Sequence, residues 1–185
     1  MPALQPPVCD FGWPAPDFNL PATDGTLVSR DQAMGPNGLL VMFICNHCPY
    51  VQAILDRLCE DVRTLTEAGI GVVGINANDA ASYPADSPEK MRELAEALSL
   101  PFPYLFDESQ AVAKAYDAIC TPDFFGFDAA GGLQYRGRLD AYRLDPAPVD
   151  RKRDLVEAML AVAQGLGGPG DQIASMGCSI KWKAA

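Results

Sequence analysis

The apolar run "GLLVMFI" (Gly38 to Ile44) leads without a spacer into "CNHC" (Cys45 to Cys48). Beyond it, apolar residues recur at Val51, Ile54, Leu55, Leu58, Val62 and Leu65, the spacing of one helix face. Gly69 stops that helix, and "IGVVGIN" (Ile70 to Asn76) is a second apolar run rich in β-branched residues. Short continuous runs of this kind read as strands buried on both faces. Strand, helix and strand with short joints make a βαβ unit with parallel strands. The unit demands a sheet covered on both sides, which is an α/β fold, and it places the cysteine pair where the first strand hands over to a helix.

The rest of the chain builds on that unit. Before it, "DFNL" and "TLVS" flank "PATDG", whose Asp24-Gly25 turn predicts a hairpin within residues 1–37. After it, Ser87 and Pro88 are an N-cap and first-turn pair for a helix through "EKMRELAEAL". "PFPYLFD" is extended around Tyr104 to Phe106, and "ESQAVAKAYDA" is a short helix ending near Cys120. "DFFGFD" and "LQYRGRL" form a second hairpin across "AAGG". "DRKRDLVEAMLAVAQG" predicts the last helix, with residues 165–185 as a Gly-rich linker and tail. Ile180 and Trp182 would be exposed on a loose tail, so the tail is expected to be ordered against the body.

With 185 residues, 49% of them hydrophobic, the chain suffices for one well-buried domain. The formal charge of −10 speaks against nucleic acid and against anionic membrane surfaces. The short basic clusters Arg151 to Arg153 and Lys181 to Lys183 read as solvated surface. No stretch approaches the ~20 apolar residues of a membrane span. The first residues have neither the basic region nor the apolar core of a secretory signal, so a cytoplasmic location is expected. Of six cysteines, only Cys45 and Cys48 form a motif; the scatter of Cys9, Cys59, Cys120 and Cys178 is not a disulfide framework. Cys9 and Cys59 are expected to be small buried apolar groups.

Residues three apart at a helix start share a face, so the sulfurs of Cys45 and Cys48 can meet. First-turn amides carry partial positive charge and no intrahelical partner, and thiol pKa values in such places fall to ~3.5–7.5. His47, supported by Asn46, is expected to strengthen this effect at Cys45. The same residues also suit half a zinc site, although no second ligand pair accompanies them. Two inert thiols are the remaining reading.

The stretches "APDFNLPATDG" (Ala15 to Gly25), "VMFICNHCPYV" (Val41 to Val51), "GINANDAASYPADSPEKM" (Gly74 to Met91), "CTPDFFGFD" (Cys120 to Asp128) and "GCSIKWK" (Gly177 to Lys183) occur in this order. Together they resemble the thioredoxin-fold proteins of the alkyl hydroperoxide reductase/thiol-specific antioxidant superfamily. More narrowly, they resemble its peroxiredoxin-like, CNHC-containing branch. The resemblance covers nearly the whole chain and implies one thioredoxin-like domain: a central mixed sheet flanked by helices, with an N-terminal hairpin extension. It also implies that Pro122 is cis, packed against the cysteine helix, with Thr121 offering backbone hydrogen bonds to an extended substrate. Cys120 and Cys178 would then be candidate additional thiols.

The departures matter for mechanism. Peroxiredoxins carry P-x-x-x-T-x-x-C; aligning Cys48 with its cysteine places Cys45 at the threonine and Val41 at the proline. Thioredoxins carry W-C-G-P-C-K; here Ile44 replaces the tryptophan, Pro49 follows the second cysteine, and "LLVMFI" holds no buried acid. The leading expectation is a thiol–disulfide oxidoreductase without cofactor or metal, with Cys45 as nucleophile and Cys48 as resolving thiol. Its partners would be protein or small-molecule disulfides and a thiol reductant. A peroxidase with Cys48 or Cys45 oxidised by peroxide is the alternative. A third reading is a metal-binding or redox-sensing module using Cys45, Cys48, His47 and Cys120 or Cys178.

Overall fold

The computed structural model describes residues 3–7 and 9–184. Its strands are β1 (Ala3–Leu4), β2 (Asn19–Pro21), β3 (Leu27–Ser29), β4 (Gly38–Phe43), β5 (Ile70–Asn76), β6 (Tyr104–Phe106), β7 (Cys120–Thr121), β8 (Asp123–Phe127), β9 (Leu133–Tyr135) and β10 (Gly177–Ser179). The helices are α1 (Arg30–Ala33), α2 (Pro49–Gln52), α3 (Leu55–Glu67), α4 (Pro88–Leu98), α5 (Ala111–Ala115) and α6 (Asp154–Ala163), with a 3-10 turn at Pro84–Asp86.

The central sheet runs β6-β5-β4-β8-β9. β4 pairs parallel with β5 and antiparallel with β8, so the sheet is mixed, as the sequence predicts. Every residue of β4 is buried because alternate side chains enter two different cores. Leu40 and Met42 join Leu58, Val62, Leu65, Leu155 and Met159 beneath α3 and α6. Leu39, Val41 and Phe43 meet Tyr116, Phe125 and Phe127 on the opposite face. The β2–β3 hairpin lies along the β6 edge through the Ala22–Leu105 bridge. No helix among the described residues is long and apolar enough to cross a membrane.

The single helix expected after the motif is two helices. Pro49 starts α2, and a tightened turn, in which Ile54 N–H donates to the Val51 carbonyl, separates it from α3. The apolar face survives the break, since Val51, Ile54, Leu55, Leu58, Val62 and Leu65 are all buried.

The basic clusters are only in part the solvated surface expected of them: Lys152 and Lys183 are exposed, but Arg151 and Lys181 are not. Arg151 is buried, with its guanidinium on Asp61 (2.8 Å) and Asp140 (2.9 Å), and Arg153 reaches Asp61 at 2.6 Å. These pairs hold residues 151–153 out of helix, and α6 starts only at Asp154. Lys181 is buried too, its ammonium on the Ser179 carbonyl at 2.5 Å.

The tail is ordered. β10 lies between β1 and β7, with Cys178 opposite Thr121 on one side and Ala3 on the other. Ile180 is buried, but Trp182 stays 42% exposed, with the Lys114 ammonium 5.8 Å from its ring. Cys59 is buried as expected, whereas Cys9 is only partly so.

Candidate active site

Cys45 follows β4 by one residue after Ile44, and Cys48 is the N-cap of α2. Both are more deeply enclosed than a helix N-terminus usually leaves a thiol: Cys45 is 2% exposed and Cys48 0%. The Thr121–Pro122 peptide beside them is cis, as the resemblance implies. Thr121 addresses both sulfurs. Its hydroxyl lies 3.4 Å from Cys45 Sγ, and its carbonyl accepts from Cys48 Sγ at 3.1 Å.

The surroundings of the two thiols favour ionisation of Cys48 over Cys45. A hydrogen bond from Cys45 lowers the Cys48 pKa, and Thr121 and the amides of Cys178 and Val51 act in the same direction. Burial works against this and is outweighed. Cys45 moves up, because it carries the shared proton, is buried and feels the Asp86 carboxylate. The hydrogen bonding at the pair thus favours a thiolate at Cys48 rather than at the expected Cys45.

The reason lies in Asp86, at the end of the Pro84–Asp86 turn and wholly buried. Its carboxylate accepts from Asn46 N–H (2.7 Å), His47 N–H (3.4 Å) and Asn78 Nδ2 (2.8 Å). His47 Nδ1 lies 2.5 Å from Asp86 Oδ2, and its ring stacks on Tyr83 with centroids 5.4 Å apart. His47 is thus engaged by a carboxylate rather than by Cys45. Asn46 is held on its other side, its Oδ1 accepting from Tyr104 Oη at 3.0 Å. Asp86 organises the whole CNHC loop, and the sequence offered no sign of it beyond a Pro-rich turn before a helix cap.

Cys45 Sγ, a His47 ring nitrogen and the Asp86 carboxylate lie within 4.8 Å of one another, a set with metal-ligand chemistry. Two of the three are already hydrogen-bonded together, which leaves Cys45 as the one donor uncommitted within the set.

Two expectations about Thr121 and the other thiols change. The edge of β7 that would receive an extended substrate is taken by the chain's own β10. Cys120 is fully buried; burial and the Asp123 charge push its pKa up, and its Sγ donates to the Pro122 carbonyl at 3.5 Å. Cys178 comes to the pair, with both its amide and its thiol acting on Cys48. Open space beside Pro122 amounts to about 20 Å³. A larger cavity of about 430 Å³ lies between α6 and the Leu166–Ile173 segment, and no cysteine lines it.

Three solved structures are similar. A conserved protein of Geobacillus kaustophilus is 42% identical over 100% of this chain and 98% of its own, with a TM-score of 0.95. Peroxidoxin BcpB of Mycobacterium tuberculosis, 17% identical, covers 84% of this chain and 97% of its own at a TM-score of 0.60. The thioredoxin domain of a thiol-disulfide oxidoreductase from Bacteroides vulgatus, 16% identical, covers 68% of this chain and 86% of its own at 0.57. The last two likenesses show the fold, which is thioredoxin-like. The AhpC/TSA family model matches residues 11–136, which contain both Cys45 and Cys48 and the cis Thr121–Pro122 peptide, and the chain belongs to the AhpC/TSA family.

Proposed function

We propose that the protein is a thiol–disulfide oxidoreductase in which Cys45 and Cys48 close to a disulfide while a substrate disulfide is reduced to two thiols. The observation that carries this is the meeting of two coupled sulfurs at one threonine, Thr121. Cys48, the thiol that ionises first, receives the incoming sulfur as a mixed disulfide. Cys45 then attacks Cys48 Sγ, its proton leaving with the second substrate thiol. An external thiol reductant reopens the bond by the reverse exchanges. Occupation of the β7 edge by β10 favours small disulfides over extended polypeptides. A cytoplasmic location, where thiols are kept reduced, is part of this proposal.

The burial of Cys48, which bars bulky substrates from direct contact with its sulfur, favours a second reading. Here the Cys48 thiolate takes one oxygen from a peroxide, becoming a sulfenic acid, and Cys45 condenses with it to release water. Disulfide reduction and peroxide consumption, each measured on wild type, Cys45→Ser and Cys48→Ser, separate the two. The first reading expects disulfide reduction to vanish in both variants; full disulfide reduction by either one rules it out.

A further inference from the structure

We infer that Cys178 is the thiol at which external disulfides and thiols exchange with the buried pair, so that the site is a three-sulfur relay, Cys178–Cys48–Cys45. The inference rests on the oxidoreductase reading above and replaces its direct mixed disulfide between substrate and Cys48 with one at Cys178 that is then passed to Cys48.

Cys45 and Cys48 are closed to solvent, yet exchange requires direct contact between sulfurs. Cys178 is the member of the group that remains partly exposed. Its position is built. Opposite residues of an antiparallel pair point to the same face of the sheet. Cys178 stands opposite Thr121, the residue that touches Cys45 and Cys48. A Cβ on Gly177 would come within 1.9 Å of the Thr121 carbonyl oxygen and 3.0 Å of Pro122 N, so the strand approaches this closely only with glycine there. Ser175 Oγ donates to the Pro122 carbonyl at 2.9 Å on one side of β10. On the other, Lys181 N–H donates to Asn78 Oδ1 at 2.8 Å, and Asn78 in turn donates to Asp86. One hydrogen-bonded chain therefore runs from the tail to the CNHC loop.

The exchanges balance. Cys178, whose pKa burial and the Cys48 contact push up, loses its proton to solvent, attacks a substrate disulfide, forms a mixed disulfide and releases the first substrate thiol. Cys48 attacks Cys178 Sγ, expels the second and makes a Cys48–Cys178 disulfide. Cys45 attacks Cys48 Sγ, makes Cys45–Cys48 and returns Cys178 as a thiol. One substrate disulfide gains two electrons and two protons, and the Cys45/Cys48 pair loses them. In the reducing direction Cys178 attacks Cys48 Sγ and releases Cys45 as a thiol, and an external thiol then attacks Cys178 Sγ and expels Cys48. The amides and hydrogen bonds that stabilise the Cys48 thiolate make it the better leaving group.

Cys45→Ser, oxidised with glutathione disulfide and alkylated, is expected to yield a Cys48–Cys178 linked peptide by mass spectrometry. A Cys48–glutathione adduct with Cys178 alkylated would overturn the relay. In Cys178→Ser the Cys45–Cys48 disulfide still forms, but turnover of glutathione disulfide falls roughly tenfold or more, as expected when the accessible sulfur is lost. Turnover equal to wild type also overturns it, provided thermal unfolding shows the variant folded. If disulfide reduction survives in Cys48→Ser, the underlying oxidoreductase reading fails; if it is lost there but kept in Cys178→Ser, only the relay fails.

Discussion

A single carboxylate, Asp86, holds the loop between the two cysteines. It lies about forty positions from the residues it holds, in a segment whose composition shows only a turn and a helix cap. The sequence makes His47 the natural activator, since it stands between the cysteines. The tertiary structure gives His47 to Asp86 instead. Asp86→Asn keeps the shape and removes the charge that raises the Cys45 pKa, so Cys45 ionises at lower pH; thiolate ultraviolet absorbance against pH in Cys48→Ser checks this. Asp86→Ala strands the Asn46 amide and Asn78 Nδ2 without their acceptor and costs about 3 kcal/mol, readable as a lower denaturant midpoint. Cys45→Ala removes the largest influence lowering the Cys48 pKa, and the same titration should show the Cys48 thiolate appearing at higher pH than in wild type.

At the scale of elements, the strands and helices that pack by simple periodicity were legible. β4 and β5 are unbroken apolar runs because each face enters a core, and α4 starts where Ser87 and Pro88 say it should. The start of α6 was not legible, because Arg151 and Arg153 leave the helical path for Asp61. Nor was the partner of β10. A three-residue strand carries too little pattern to announce that it will pair with β7 and β1. Gly177 is what permits that pairing. Gly177→Ala should push β10 off Thr121 and make the tail a site of rapid limited proteolysis, while the wild-type tail resists. Disulfide turnover in this variant should fall together with tail docking.

Across the whole molecule, buried charge holds distant segments together and sets a pH response. Asp123, paired with Arg136 at 3.2 Å, has its pKa raised by burial, against the pull of Arg136, to about 6 from an ordinary 3.8. A carboxyl whose folded pKa is raised stabilises the fold when protonated. Its contribution is full below about pH 4 and is lost as pH rises through about 6. The stability of wild type relative to Asp123→Asn should thus decline by up to about 3 kcal/mol between pH ~4 and ~7, in denaturant unfolding at each pH. The Arg151 cluster joins α3 to the segment before α6, and Arg151→Met, leaving Asp61 and Asp140 short of a partner, should cost about 3–5 kcal/mol. What the sequence alone determined is the βαβ frame, the α/β class and the placing of two cysteines at a strand-to-helix junction, because hydrophobic period and helix-start chemistry are local. The tertiary structure alone decided which acid attends them and which third thiol lies beside them. Those depend on Asp86, Thr121 and Cys178, which only the packed sheet and its added tail strand bring to one place.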